Sequence, residues 1–363
     1  MSLLEDDPSI HVCKNVTVSA NRQAVISDGG KGVSEFVAGI REFRNYCKIK
    51  SLREYYADKA LGEKDKKLMA VLSKIAVGMQ MSDMDLFLNG VEELSSFGGA
   101  NLISDPYLKL FYDEIVSAFP FLNLKNTPER YIPIIKWCLE NGYYQQTLTM
   151  IESRMSSILD ACGLFKYPSS FVNKGSIKTE EFLTGHANTL NHVSYRIGTN
   201  MQYWKNQTDK MNGNRDFVRS NQPSPQVDHV FIKASENMRA FLVMHTILKN
   251  KRNQSNHGFG MNENRGTGNG RNNQTNWNDL ICCMVDKYRK LQPSGPDAIR
   301  NAVMYYVDNP NDVTKKPVDA EDLEAAITVF VRDMYLGLLE HMIKIQTGNT
   351  NVALEVRQEE IQN

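Results

Sequence analysis

The sequence has no surplus of charge. Its 42 Lys and Arg are matched by 42 Asp and Glu, whereas a protein that coats nucleic acid regardless of sequence needs a basic excess, so any polyanion contact must come from a local patch. No run of about 18 consecutive apolar residues occurs, and no membrane span is expected. The first residues, Met1-Ser2-Leu3-Leu4-Glu5-Asp6-Asp7, lack the basic and apolar stretches of a secretory signal. Six cysteines (Cys13, Cys47, Cys138, Cys162, Cys282, Cys283) contain no CxxC pair. That excludes a recognisable zinc site or disulfide framework and points to reduced, mostly buried thiols in a cytoplasmic protein. A GxSxG elbow, a GxxxxGK[ST] loop and paired carboxylates for glycoside chemistry are also missing.

What is present is enough apolar residue, 41% of 363, for a sizeable core, and most of it is spaced for helix. Val33, Phe36, Val37, Ile40, Phe43 and Cys47 follow an amphipathic stripe, as do Leu68, Leu72, Ile75, Ala76 and Met79, then Met84, Phe87, Leu88, Val91 and Leu94. Asp105-Pro106 and Thr127-Pro128 read as N-caps with proline in the first turn. A stripe through Tyr131, Ile134, Ile135 and Cys138 stops at Asn141-Gly142, and Gln145 to Leu159 returns beside it through Leu148, Ile151, Met155 and Ile158. No period of about 34 residues recurs, so these hairpins are not a repeat array. The one β segment expected is residues 10–27, where Ala24-Val25-Ile26 pairs back on the Val16 and Val18 alternation across Ser19-Ala20-Asn21. The fold class is therefore mostly all-α, an irregular helical bundle with a short N-terminal β-hairpin.

The expected division is a hairpin over 1–32, a helical-hairpin domain over 33–160, a second helical domain over 161–345 and a frayed tail over 346–363. In the second domain, 162–176 and 198–225 are loop-like. A long helix resumes from Val230 through Phe231, Met238, Phe241, Leu242, His245 and Leu248. Residues 250–278 then hold ten Asn and five Gly, too little apolar surface for a core, which predicts a mobile loop over 253–276. Helices return at Asn278–Leu291, Asp297–Val307 and Ala320 to about Ile345.

Where the long helix meets the Asn/Gly segment the chain reads Lys249-Asn250-Lys251-Arg252-Asn253-Gln254-Ser255-Asn256-His257-Gly258. This sets a permanent cation and a group titrating near neutrality about two turns apart, the pairing phosphoryl transfer needs: Arg holds a phosphate or a pentavalent transition state, and His moves a proton. On an ideal helix five residues place Arg252 and His257 roughly 140° apart, so the helix is expected to end or loosen here if both meet one substrate. Residues 249–290 also concentrate charge: Lys249, Lys251, Arg252, Arg265, Arg271, Lys287, Arg289 and Lys290 stand against Glu263, Asp279 and Asp286. The zero net charge hides one basic segment.

Arg252-Asn253-Gln254-Ser255-Asn256-His257 resembles the R-x4-6-H signature of HEPN ribonucleases. The helices of 33–160, with Trp137-Cys138-Leu139-Glu140-Asn141-Gly142-Tyr143-Tyr144-Gln145-Gln146-Thr147-Leu148, are similar to those of the CRISPR-associated CARF–HEPN proteins of type III systems. The resemblance implies that 161–345 is a HEPN catalytic domain. Its activity would be cleavage of single-stranded RNA without metal or cofactor, by attack of the 2′-hydroxyl to leave a cyclic phosphate, in prokaryotic antiviral defence. It implies that Arg252 stabilises the phosphorane, His257 assists proton transfer and Asn253 positions the phosphate or the His, in a homodimer whose two motifs form one cleft. Lys249, Lys251, Arg265, Arg271 and Trp277 are the candidate RNA-binding residues around it. Only about thirty residues precede the helices, too few for a CARF sensor. Either the sequence is a piece that omits that domain or the protein is a sensor-less relative, and without it activation by cyclic oligoadenylate is not expected.

Two other readings stand beside this one: a non-catalytic helical interaction module built on residues 100–160, and a HEPN toxin governed by an antitoxin. Arg252 as a solvated helix-terminal cation and His257 as a C-cap residue fit the module. His186 and His192 lack a carboxylate or cysteine at ligand spacing. His245 reads as a satisfied helix histidine, and Asp319-Ala320-Glu321-Asp322 as an N-cap with an acidic first turn. Phe259, Trp277 and Tyr288 are candidates for base stacking, with Trp277 equally able to anchor the next helix.

Overall fold

The computed structural model describes residues 16–18, 24–26, 29–124, 127–166, 217–221, 229–257, 277–291, 295–314 and 319–348. In chain order these form β1 (Val16–Val18), β2 (Ala24–Ile26), α1 (Gly29–Tyr46), α2 (Lys50–Tyr56), α3 (Glu63–Met81), α4 (Met84–Ser95), α5 (Pro106–Leu110) and α6 (Tyr112–Ser117). There follow α7 (Tyr131–Glu140), α8 (Tyr144–Ala161), β3 (Phe165–Lys166), β4 (Phe217–Asn221), β5 (His229–Lys233), α9 (Glu236–His257), α10 (Trp277–Lys290) and α11 (Pro296–Asp308). Last come α12 (Ala320–Val329), a π-helical turn (Phe330–Leu336) and α13 (Gly337–Thr347). The fold is mostly all-α, as the stripes require. β1 and β2 pair antiparallel with Val16 opposite Ile26, the hairpin expected in that region.

The chain divides into two compact units between Leu124 and Lys125. In the second of these units α8 packs on α9 and β3, partners that lie across a long stretch of sequence.

In the first unit the three apolar stripes are buried as spaced: Phe36, Ile40 and Phe43 on α1, Leu68, Leu72 and Ile75 on α3, Phe87, Val91 and Leu94 on α4. Helices α3 and α4 form a hairpin whose approach is set by glycine. A Cβ on Gly78 would stand 2.4 Å from the Phe87 backbone nitrogen, and one on Gly90 would meet Ile75 at 2.7 Å. Asp65, 1% exposed, ties the far end together. Its carboxylate accepts the backbone N–H groups of Ser104 (2.8 Å), Asp105 (3.2 Å) and Gly62 (3.3 Å). Asp105 caps α5 as read, accepting the N–H groups of Tyr107 (3.0 Å) and Leu108 (2.9 Å), and also takes the Tyr56 hydroxyl at 2.8 Å.

In the second unit α7 and α8 form the hairpin expected on either side of Asn141-Gly142. Thr127 differs from Asp105: it makes no side-chain cap bond, and Pro128–Arg130 is a 3₁₀ turn ahead of α7. The second sheet was not anticipated. Strand β5 lies between β3 and β4, antiparallel to both, and it takes Val230 and Phe231, which the spacing assigned to the long helix. Helix α9 begins only at Glu236, behind Ser235, whose hydroxyl accepts the Met238 N–H at 3.0 Å.

At its other end α9 runs through His257, so residues 253–257 of the predicted mobile loop are helix. Extending an established helix costs far less than nucleating one, and the apolar turns before Asn253 carry the weak formers after it. Residues 258–276 lie outside the described set. The helices expected beyond them are present, and Asp319 caps α12 by accepting the Asp322 N–H at 2.8 Å. Among the described residues no helix is long and apolar enough to cross a membrane. The five described cysteines are buried, and none forms a disulfide among the described residues; Cys13 lies outside that set.

Candidate active site

Helix α9 changes character along its length. Residues 238–248 are buried on every side, whereas Lys249 to Gln254 are half-buried. The helix therefore leaves the core at Lys249 and carries its polar run on the last turns, where the carbonyl end of the dipole favours cations. It packs against α8, α10, α11 and α13, so the position of those turns is fixed by the unit as a whole.

The geometry there centres on a carboxylate. Arg252 Nη1 lies 2.8 Å from Glu152 Oε2 on α8, and the two side chains keep 28% and 19% of their exposure. Lys249 stands one turn before Arg252, on the same face. Burial pulls the Lys249 ammonium below its ordinary pKa, and Glu152 pulls it back up. Lys251 is likewise lowered by burial. Arg252 Nε and Gln254 Oε1 are buried and make no hydrogen bond among the described residues. Two cations thus face one carboxylate, with donor capacity on the arginine left over.

Several expectations about this segment are resolved. The helix does not end or loosen between Arg252 and His257; it continues as regular α-helix to His257, which keeps those positions roughly 140° apart around the axis. The side chain of His257 lies outside the described set, as do Arg265, Arg271, Phe259, His186 and His192. Asn253 and Lys251 share the half-buried last turns with Arg252. Trp277 is the half-buried first residue of α10, and Tyr288 is half-buried on the same helix, its hydroxyl pKa raised by burial and by Asp333.

Sequence reasoning missed Glu152. A signal was there: Glu152 follows Ile151 and lies one turn from Leu148 and Met155, so α8 carries a charge at the edge of its buried stripe. A carboxylate in that place asks for a cation from a neighbouring helix.

Beneath the exit point lies a buried aromatic stack. Phe241 and Tyr335 are 4.6 Å apart at 15°, and His245 Nδ1 shares a 2.8 Å hydrogen bond with the Tyr335 hydroxyl. Burial, aided by Lys249, pushes the imidazole pKa down to about 3. His245 is a neutral core residue, as its place on the stripe suggests. A separate cleft of about 580 Å³ between α10 and α11 is lined by Lys287, Lys290, Asp286 and Asp312 among others; its balanced charges select no particular ion. Among the described residues no group of three or more His, Cys, Asp or Glu is placed to hold a metal ion. No family model, curated protein or solved structure matches the chain.

Proposed function

We propose that the protein is a HEPN-type endoribonuclease that cleaves single-stranded RNA at the end of α9. The observation that carries this reading is the pair of half-buried cations, Lys249 and Arg252, held where a core helix emerges on the same unbroken helix as His257. In the reaction the 2′-oxygen of the substrate forms a bond to the adjacent phosphorus, the bond from phosphorus to the 5′-oxygen breaks, and a cyclic phosphate is left. The 2′-oxygen loses its proton and the leaving 5′-oxygen gains one. His257 serves one of these transfers and solvent water the other, while Arg252 stabilises the equatorial oxygens of the phosphorane and Asn253 positions the phosphate. The 2′-hydroxyl requirement excludes DNA.

The wide angle between positions 252 and 257 favours a cleft shared by two copies, so that one strand meets groups from both without wrapping a single helix. Lys251, Arg265, Arg271 and Trp277 are the further residues proposed to contact the RNA. A cytoplasmic place in prokaryotic antiviral defence fits this activity.

The test is cleavage of a single-stranded RNA oligomer in chelator. Wild type is expected to cut it to cyclic-phosphate ends, and Arg252→Ala and His257→Ala are expected to lower the rate about a thousandfold, to a small residual cut. Cleavage at the wild-type rate by both variants overturns the reading. A second reading, a helical interaction module, is favoured by one fact: an arginine paired to Glu152 within its own chain is also what a structural arginine looks like. Under it neither variant changes partner binding. The exposed apolar surface such a module needs is sparse: among the described residues of 100–160, the large exposed apolar side chains are Leu102 and Leu110, with none on the α7–α8 hairpin.

A further inference from the structure

We infer that Glu152 is the positioning residue of the site, fixing the Arg252 guanidinium against α8 so that its remaining N–H groups are aimed at the phosphate before RNA arrives. The inference rests on the ribonuclease reading and deepens it. A guanidinium has five N–H donors in a rigid fork. Among the described residues Nη1 pairs with Glu152 at 2.8 Å, and Nε is buried without a hydrogen bond. Nη2 remains as the donor available to a substrate oxygen.

The pair is neither a surface bridge nor a sealed one. At 28% and 19% exposure it is screened less than a solvent-exposed pair, while one flank of the arginine stays open to a ligand. A flexible arginine in water loses rotamer freedom when it grips a phosphate. One already held by a carboxylate has lost it on folding, which lowers the cost at the moment of reaction.

Lys249 makes the arrangement workable. A lone carboxylate would cancel the arginine and weaken its hold on an anion. With Lys249 facing the same carboxylate, the trio of Glu152, Lys249 and Arg252 keeps one positive charge. Glu152 thus directs the arginine without neutralising the site, and it acts through Arg252 with no substrate contact of its own.

The experiment is a double-mutant cycle on cleavage of a single-stranded RNA oligomer. Wild type, Glu152→Gln, Arg252→Ala and the double variant are compared for kcat and KM, with thermal unfolding recorded for each. Loss of the partner that orients a metal ligand costs about tenfold to a hundredfold, and the same scale is set for Glu152 here. Glu152→Gln is expected to lose that much in kcat with little change in KM or Tm, and to add nothing in the Arg252→Ala background. Glu152→Asp, which keeps the charge on a shorter arm, is expected to fall between, and it carries the test if the Gln variant does not fold. Additive losses in the double variant mark a structural role and overturn the inference. A Gln variant as fast as wild type overturns it too, and a faster one shows that Glu152 competes with the phosphate instead. Absence of cleavage by wild type overturns the ribonuclease reading itself, a distinct result.

Discussion

Two charged side chains, Asp65 in the first unit and Arg252 in the second, differ in how they are satisfied: Asp65 is 1% exposed and well bonded, while Arg252 is half-buried with donors left over. Asp65 accepts three backbone N–H groups and joins the turn before α3 to the segment before α5. Among the described residues Arg252 spends one nitrogen on Glu152 and keeps a buried nitrogen with no hydrogen bond. A satisfied buried charge stabilises the fold and has nothing left for a ligand; an under-satisfied one at a core exit is equipped to bind. The same contrast runs through the units. The first packs its stripes as written, while the second holds the π turn, the neutral buried His245 and the cationic end of α9.

The comparison is sharpest where the two charges are removed. Arg252→Ala is expected to lower cleavage about a thousandfold, the scale of a deleted transition-state donor, with a small change in Tm; a large fall in Tm with cleavage intact in the surviving fraction breaks the contrast. Asp65→Ala is expected to do the reverse. Stranding buried N–H groups costs about 3 kcal/mol of stability, seen as a lower urea midpoint, while cleavage by the folded protein is unchanged.

A packing change should follow the Asp65 pattern at smaller amplitude. Gly78→Ala forces a Cβ against the Phe87 backbone and is expected to destabilise by about 2 kcal/mol in urea unfolding without altering cleavage. The smallest effect is one of pH. His245 titrates near 6.5 when unfolded and at about 3 when folded, so its contribution to stability is complete above about 6.5 and is lost as the pH falls toward 3. The double variant His245→Leu/Tyr335→Phe removes both hydrogen-bond partners together. It is expected to lose less stability than wild type between pH 7 and pH 5, measured as the difference in urea midpoints.

Much of the fold was legible because it is local. The stripes of α1, α3 and α4 and the caps at Asp105 and Asp319 depend on residues a turn or two apart. The second sheet was not legible, since Phe165–Lys166 and His229–Lys233 pair across a long gap, and an apolar run before a helix reads as more helix. The end of α9 was misjudged for the opposite reason: Asn253 and its neighbours have weak propensity, and cooperativity with the buried turns before them overrode it. The arginine and the histidine of the site were visible as residue types. Their angular relation followed once the helix was known to continue, and Glu152 could be given a role only when α8 and α9 were seen side by side.

The π turn at Phe330–Leu336 acts as a phase shifter within what is otherwise one rod from Ala320 to Thr347. A wider turn takes up an extra residue without lengthening the rod by a full α-helical step, so the residues on either side of it obey different angular origins. Ala326 before it, and Leu338, Leu339, Met342 and Ile343 after it, are all buried, although a single 100° wheel drawn through the whole segment does not bring them into line. A chain one residue shorter at this point would relax to plain α-helix and swing these last four side chains by about 100° around the axis, out of their buried positions. The spacing of the C-terminal helix is therefore set in length as strictly as in composition, and the tyrosine that holds His245 sits inside the very turn that sets it.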